Sequence, residues 1–155
     1  MQLVTYTSRD RQAWNALCDR SDDAWFWHTR DWWEYARAFL GQTLIADASF
    51  MVKRGEDILA IAPCMAITGP DRHLSRLSLA DQPVPWPAFS PHLGTQHRLE
   101  AERMIFAEYR NAALRLGLGR IDLFGVVLAN SFRRSQTPPS NLPLRYGYAG
   151  EIYDT

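Results

Sequence analysis

A short segment rich in proline carries three side chains that could bind a small molecule, namely Asp81, Trp86 and His92. Four prolines fall within nine positions, 83–91, so this stretch cannot form a helix or an interior strand. A carboxylate, an indole and an imidazole held on a rigid loop are suited to substrate binding. The sequence therefore predicts an ordered loop over 81–97 that contacts a substrate, with packing of the loop itself as the alternative.

One histidine and four tryptophans upstream offer a second set of chemical groups. His28 has the imidazole that a general base needs. The tryptophans could form a stacking platform, but their helical spacing indicates that most of them belong to the core. Adjacent helical residues do not face the same way, so at least one of Trp32 and Trp33 must point away from the main buried face. The other two tryptophans of this set are Trp25 and Trp27.

No known catalytic or metal-binding arrangement is visible, and no catalytic residue is identified. There is no serine–histidine–aspartate order, HExxH motif, Walker loop or carboxylate pair. Cys18 and Cys64 belong to no Cys-x-x-Cys pair or Cys/His cluster, so we expect buried reduced thiols and no metal site. The pair Arg133-Arg134 could meet a phosphate or carboxylate, although a solvated pair in a tail is the simpler interpretation.

Composition and charge exclude several classes of protein. The 155 residues predict one domain. Seventeen basic and 17 acidic residues leave no electrostatic basis for non-specific binding to nucleic acid or to an anionic membrane. The longest apolar run, 58–67, is interrupted by Pro63 and falls short of the roughly 20 residues that a membrane span needs. The first residues do not resemble a secretory signal, so we expect a cytoplasmic protein.

Hydrophobic periodicity and turn residues predict the elements that must position these groups. Ser8 and Thr29 are candidate N-caps, and Gly41 and Gly117 are candidate helix stops. The predicted elements are a strand over 2–6, helices over 9–19 and 30–40, a hairpin of 48–54 with 58–67, a strand over 74–80, a long helix over 98–116 and a strand over 120–124.

This order predicts an α+β fold of mixed α/β layers. A central, mostly antiparallel sheet carries two N-terminal helices and one long helix packed on it. The middle of the second hairpin arm, 58–62, is apolar on both faces, which predicts a central strand covered on both sides. Residues 130–150 are rich in Ser, Pro, Asn and Gly and predict a long loop.

Several residue strings resemble the N-terminal lobe of the FemAB-like acyltransferases. That family includes the peptidoglycan bridge aminoacyltransferases and the BioF2-like acetyltransferases, and it resembles two GNAT-type lobes placed side by side. The resemblance covers about residues 2–125. The matching strings are Trp14-Asn15 in the first helix, Phe26-Trp-His-Thr-Arg-Asp-Trp32 at the entry to the second, the hairpin over 50–63, the strand over 77–81 with the proline loop after it, and the helix-to-strand junction over 116–124.

The resemblance implies a GNAT-like lobe over 1–129, followed over 130–155 by a loop-rich tail or the start of a connection to a missing second lobe. It places the proline loop at the cleft between lobes. It also favours a structural role for His28, because the family usually has an amide-like side chain at that position. The donor in the family is acyl-CoA or aminoacyl-tRNA, and the partner of this lobe is the second GNAT-like lobe.

The acetyl-CoA loop of ordinary GNAT enzymes, Arg/Gln-x-x-Gly-x-Gly/Ala, is absent from the sequence. Gly117-Leu-Gly119 lies at the C-terminus of a predicted helix, where the orphan carbonyls would repel phosphate. We therefore expect no donor to be bound by this chain alone. The predicted function is that of one lobe of an N-acyltransferase that acts on an amine acceptor and is inactive alone. The alternatives are a non-enzymatic docking module and a small acyltransferase completed by dimerisation.

Overall fold

The computed structural model describes residues 1–71, 74–80 and 82–124. Three α-helices are present in these ranges: α1 (Arg11–Arg20), α2 (Arg30–Leu40) and α3 (Thr95–Leu116). The strands are β1 (Gln2–Thr5), β2 (Leu44–Asp47), β3 (Phe50–Arg54), β4 (Asp57–Ala62), β5 (Met65–Ile67), β6 (Arg76–Ser78), β7 (Val84–Pro85), β8 (Ala88–Phe89), β9 (Arg120–Ile121) and β10 (Leu123–Phe124). No helix in the described part of the chain is long and apolar enough to cross a membrane.

The first sheet has the strand order β1-β3-β4-β8, and all of its pairs are antiparallel. Strands β3 and β4 form the predicted hairpin, which turns at Gly55 with a φ of 59° that suits glycine. Trp14 and Leu17 of α1 pack with Met51 and Ile61 on one side of this sheet. The other side packs against α3, which confirms that β4 is central and covered on both sides.

The second sheet has the order β2-β5-β6-β9, and its last pair is parallel. The predicted hairpin arm over 58–67 is divided between the two sheets, because regular pairing ends at Pro63, as its missing N–H predicts. At this crossing the Ser49 hydroxyl accepts from the Cys64 N–H, and the Ala48 N–H donates to the Cys64 carbonyl.

The single strand predicted over 120–124 is also divided, since β9 pairs with β6 and β10 pairs with β7 in a small parallel ribbon. The prediction of a loop throughout 81–97 is wrong in part, because β7, β8 and the first residues of α3 lie in this range. The Val84 N–H donates to the carbonyl of Asp122, and the Trp86 N–H donates to the carbonyl of Phe124 in β10. Successive residues of a strand face opposite sides, so Pro85 between them needs no N–H toward β10. Strand β8 occupies an edge, as proline-rich sequence requires.

Helix α3 begins three residues earlier than predicted and ends at Gly117, whose φ is 66°. The Leu118 N–H closes this end by donating to the Ala113 carbonyl at 2.9 Å. Glu102 of this helix is buried beside Arg98 although it is charged. Leu116, in the last turn, is exposed.

Helix α2 begins as predicted, with the Thr29 hydroxyl accepting from the Trp32 N–H. Ser8 is not the cap of α1, because the chain first forms a short 3-10 turn over Ser8–Asp10 that Thr7 caps. Asp10 then occupies the N-cap position of α1. The observed architecture is the predicted α+β arrangement of mixed layers, with its mostly antiparallel sheet divided into two four-stranded sheets and a ribbon.

Candidate functional site

Trp86 stands at the point where two parallel strands separate. The Val84 N–H donates to the Asp122 carbonyl at 2.7 Å, and the Trp86 N–H donates to the Phe124 carbonyl at 3.1 Å. Beyond Trp86 the chain leaves β10 and pairs with β4, where Ala88 lies opposite Ile61. The side chain of Trp86 is half-buried. Its indole N–H is buried and has no hydrogen-bond acceptor among the described residues.

His28 holds the backbone of Trp86 in place. Its Nε2 donates to the Trp86 carbonyl at 2.7 Å, and its Nδ1 accepts from the Trp25 N–H at 3.0 Å. The ring is fully buried, and burial lowers its pKa, although the hydrogen bonds to Trp86 and Trp25 and the charge of Asp23 oppose that shift. Because both nitrogens are engaged by the backbone, the geometry supports the structural role and not that of a general base.

A group of partly to largely exposed aromatic side chains lies beside this point, and four of them are in successive ring contact. We use "aromatic surface" for Trp25, Phe26, Trp27, Trp32, Tyr35 and Phe39. Ring centroids are 5.3 Å apart for Phe124 and Trp27, 5.7 Å for Trp27 and Phe26, 4.7 Å for Phe26 and Trp32, and 5.2 Å for Trp32 and Tyr35. Phe26 is 49% exposed, Tyr35 62% and Phe39 71%. Contiguous rings with open faces can stack against a planar or apolar ligand.

The expectation that most of the four tryptophans belong to the core is wrong. Only Trp33 is buried, packed with Ala36 and Met65. Trp27 and Trp32 rest on the edge of the same cluster and stay partly exposed, and Trp25 is 39% exposed. As predicted, the adjacent Trp32 and Trp33 differ in direction, since one turn of α2 cannot bury both.

Arg30, the first residue of α2, is buried and was not identified by sequence reasoning. Its guanidinium stands 3.7 Å from the ring centroid of Tyr6 and 4.3 Å from that of Trp33. It donates to the Asp47 carboxylate at 2.5 Å and to the Ser49 hydroxyl at 3.1 Å. This buried cation joins α2 to the end of β1 and to the crossing between the sheets. No local sequence signal distinguishes it from an ordinary arginine in a first helical turn.

The segment 21–29 between α1 and α2, which we call the aromatic loop, contacts β8 and α3 at its N-terminal end. The Ser21 hydroxyl donates to the Phe89 carbonyl at 2.6 Å. Arg98 of α3 binds both carboxylate oxygens of Asp23, at 2.9 and 3.1 Å, while its guanidinium lies 4.3 Å from the Phe89 ring centroid. The aromatic loop and the segment 86–89 are therefore held as one unit.

The predicted substrate-binding residues are only partly brought together. Trp86 belongs to the unit just described, whereas His92 is exposed in the turn before α3. Asp81 lies outside the described residues, as do Arg133 and Arg134. The assignment of Asp81, Trp86 and His92 to substrate binding stays a prediction.

The two cysteine thiols do not supply a nucleophile at this site. Cys64 is buried and Cys18 is partly buried. Burial raises the pKa of Cys18 to about 12 and that of Cys64 well above its usual value, so neither is a ready nucleophile. Among the described residues, no group of three or more His, Cys, Asp or Glu side chains could hold a metal ion.

An open cleft of about 510 Å³ lies elsewhere, between the turn at 68–71 and the C-terminal end of α3. It is lined by Ile45, Ser75 and Leu118 among others, and neither Trp86 nor His92 is among the described residues that border it.

Comparison with known proteins identifies the fold. No family model matches the chain, and no curated protein matches it. The crystal structure of wild-type TTHA1254 from Thermus thermophilus is 15% identical in sequence to this chain, with a TM-score of 0.58 over 100% of this chain and 95% of that one. A point mutant of the same protein is also 15% identical, with a TM-score of 0.59 over 100% of this chain and 94% of that one. A ribosomal-protein-alanine N-acetyltransferase from Brucella melitensis biovar Abortus 2308 is 11% identical, with a TM-score of 0.55 over 99% of this chain and 96% of that one. The chain therefore has a GNAT-like fold.

Proposed function

We propose that this chain is a FemAB-like, BioF2-like N-terminal lobe of a GNAT-type N-acyltransferase. Such an enzyme transfers an acyl or aminoacyl group from acyl-CoA or aminoacyl-tRNA to an amine. The observation that carries the proposal is the GNAT-like fold, in which a parallel strand pair separates at Trp86 beside the aromatic surface. The FemAB-like part of the proposal rests on the residue strings described above, and the cytoplasmic location stays a prediction.

The role of this lobe is to hold the acceptor. In the reaction the amine nitrogen attacks the thioester or ester carbonyl and forms the C–N bond. As the tetrahedral intermediate collapses, the C–S or C–O bond breaks, the nitrogen loses a proton, and the thiol or ribose hydroxyl leaves with one. Positioning and hydrogen-bond donors supply most of the rate enhancement in such transfers. Trp86 and the aromatic surface orient the acceptor in this proposal, and Asp81 and His92 complete its binding site.

Several groups near the start of α3 that could meet the pyrophosphate of acyl-CoA are already engaged within the protein. In the turn before α3, the N–H groups of Ser90 and Leu93 are already donated to the carbonyls of Leu59 and Ser90. Arg98, the cation in the first turn of α3, is bound to Asp23. A phosphate-binding loop needs free N–H groups aimed at the ligand. This supports the part of the proposal in which the donor is held by a second lobe and the chain is inactive alone.

Calorimetric titration of acetyl-CoA into the purified chain, with a turnover assay on a panel of amines, tests the inactivity. We expect neither binding at micromolar concentrations nor turnover. Micromolar binding or turnover by residues 1–155 alone would overturn this part.

Reading the gene beyond codon 155 tests the two-lobe arrangement. An in-frame GNAT-type lobe supports it, and a stop codon directly after Thr155 contradicts it.

A docking module without catalytic activity is the second candidate, favoured by the exposure of Phe26, Tyr35 and Phe39. Size-exclusion chromatography with light scattering distinguishes the possibilities. A monomer that shows no association and binds no apolar dye argues against both a missing lobe and a docking role. A dimer with turnover supports the third reading, in which dimerisation completes a small acyltransferase.

A further inference from the structure

The aromatic surface leaves a connected set of ring faces open. Phe26 is 49% exposed, Tyr35 62% and Phe39 71%. A fully exposed aromatic side chain presents about 200 Å², so these three residues leave roughly 350 Å² of side chain open to solvent. Trp32 joins Phe26 to Tyr35 through ring contacts of 4.7 and 5.2 Å, and Phe39 follows Tyr35 by one helical turn. An exposed apolar patch of this extent marks an interaction site.

The spacing of the rings suits an extended peptide. From Trp27 to Tyr35 the three successive ring-to-ring steps measure 5.7, 4.7 and 5.2 Å. A polyproline II helix rises about 3.1 Å per residue, so five or six residues cover these steps. Such helices dock on surfaces lined with aromatic side chains, because pyrrolidine rings pack against the faces of aromatic rings. The aromatic surface therefore has the length and the chemistry to hold one short proline-rich segment.

The described part of the chain ends beside this surface. The ring of Phe124, the last residue of β10, lies 5.3 Å from that of Trp27. Residues 125–134 connect Phe124 to the segment 135–144, which we call the tail segment. Fully extended, that connection spans up to about 33 Å, which is longer than the row of rings it must follow. The tail segment can therefore reach every ring from Trp27 to Tyr35.

The composition of the tail segment matches the surface. It reads Ser-Gln-Thr-Pro-Pro-Ser-Asn-Leu-Pro-Leu, and it carries no charge between Arg134 and Arg145. Proline fixes its own φ near −65° and biases the residue before it to the extended region, so the sequence favours polyproline II. A segment with this bias loses little conformational entropy when it docks, and no ion has to be desolvated.

We propose that the tail segment docks on the aromatic surface of its own chain, with its prolines against the open ring faces from Phe26 to Tyr35. Because the segment and the surface belong to one chain, the effective concentration is on the order of millimolar, so weak contacts are sufficient. The docked segment covers the rings that orient the acceptor, so it competes with the acceptor. That competition rests on the proposed function, whereas the docking does not.

Hydroxyl-radical footprinting with mass spectrometry tests the docking on the intact chain. The variant is Pro138→Ala/Pro139→Ala/Pro143→Ala, which keeps the length and charge of the tail segment but removes the bias to polyproline II. We expect Tyr35 and Phe39 to be oxidised at least about threefold more slowly in the wild type than in the variant, which corresponds to two thirds of the molecules docked. Equal rates in the two proteins would overturn the proposal.

Two controls separate docking from a change in the fold. Leu114, 79% exposed on α3, should be oxidised at the same rate in the wild type and in the triple variant. Pro91→Ala, at an exposed proline in the turn before α3, should leave the oxidation of Tyr35 and Phe39 as it is in the wild type. If Pro91→Ala exposes these rings as much as the triple variant does, the effect is not specific to the tail segment and the proposal is wrong.

Dilution identifies the occupant of the surface. Docking within one chain gives a protection of Tyr35 and Phe39 that does not change with protein concentration. Protection that disappears on dilution assigns the surface to a second copy of the chain and overturns the proposal.

If the triple variant does not fold, nuclear Overhauser contacts in the wild type decide. Contacts between proline δ-protons and the rings of Trp32 or Tyr35 support docking, and their absence contradicts it. No readout uses enzymatic activity, so failure of the docking and failure of the proposed function remain distinguishable.

Discussion

Helices α2 and α3 both pack on a sheet, yet they bury their aromatic side chains to very different extents. Phe106 and Tyr109 of α3 are fully buried, and their rings lie edge to face with centroids 5.9 Å apart. On α2 only Trp33 is buried, while Tyr35 and Phe39 are largely exposed. The α3 side uses its aromatic residues as core. The α2 side carries aromatic side chains that are exposed and do not pack in the core. This exposure makes it the candidate surface for binding a ligand or partner.

The strongest test of this contrast is Phe106→Ala on α3. Removing a buried ring from a packed core lowers the free energy of unfolding by about 3–5 kcal/mol. Urea denaturation followed by far-UV circular dichroism measures it. Leu114→Ala, at an exposed position of the same helix, should change the free energy by less than about 0.5 kcal/mol. If Phe106→Ala and Leu114→Ala lower the free energy of unfolding equally, the buried face of α3 does not contribute more to stability than its exposed face.

Arg30→Lys tests whether the inner side of α2 is held as firmly as the core. Lysine cannot reproduce the donors toward Asp47 and Ser49 or the planar contact with the Tyr6 ring, so we expect a loss of about 2–3 kcal/mol. Thermal or urea denaturation measures the loss. Arg37→Lys, on the exposed side of the same helix, is the control and should be close to neutral. If Arg30→Lys leaves the free energy of unfolding unchanged, the guanidinium of Arg30 contributes no more to stability than any buried cation would.

Ser21→Ala tests the contact between the aromatic loop and the scaffold. The variant removes the donor to the Phe89 carbonyl, which costs about 1 kcal/mol. Because this contact lies at one end of the loop, exchange over 21–29 should accelerate more than exchange in α3. Ser8→Ala, at an exposed serine, serves as the control and should leave the exchange over 21–29 unchanged. Equal acceleration throughout the chain would show that the loop and the scaffold open together.

The smallest expected effect on stability belongs to Tyr35→Ala and Phe39→Ala. Both side chains face solvent, so the free energy of unfolding should stay within about 0.5 kcal/mol of the wild type. Binding of an apolar fluorescent dye, or self-association seen by light scattering, should decrease. A loss of stability above about 1.5 kcal/mol would place these rings in the core and remove the contrast between the two helices.

Local patterns predict much of the fold. Thr29 and Gly41 delimit α2, Gly117 ends α3, and Pro63 ends the pairing of β4, each for a reason contained in the residue itself. The start of α3 and the cap of α1 are less well predicted, because several neighbouring residues can serve as a first turn. The division of 58–67 and 120–124 between sheets follows from pairing partners far along the chain, which periodicity does not reveal.

The site is predicted less well than the fold. The prolines around it make Trp86 a candidate from sequence alone. Its neighbours in space cannot be predicted in this way, because the aromatic loop lies about 60 residues before Trp86 and β10 about 40 residues after it. Arg30 and Glu102 illustrate the limit, since charged residues are expected at the surface and only their surroundings explain their burial.

Residue types and spacing are sufficient for the three α-helices, the longer strands and the α+β class, because caps, turns and hydrophobic periods act within a few residues. They do not predict the short strands β2, β7 and β8. Tertiary structure alone decides which aromatic side chains are core and which are surface, and that His28 joins the aromatic loop to Trp86. The physical reason is that burial and hydrogen-bond partners depend on what lies across the fold. Two adjacent tryptophans of one helix, Trp32 and Trp33, therefore have different surroundings although their local sequence is almost the same.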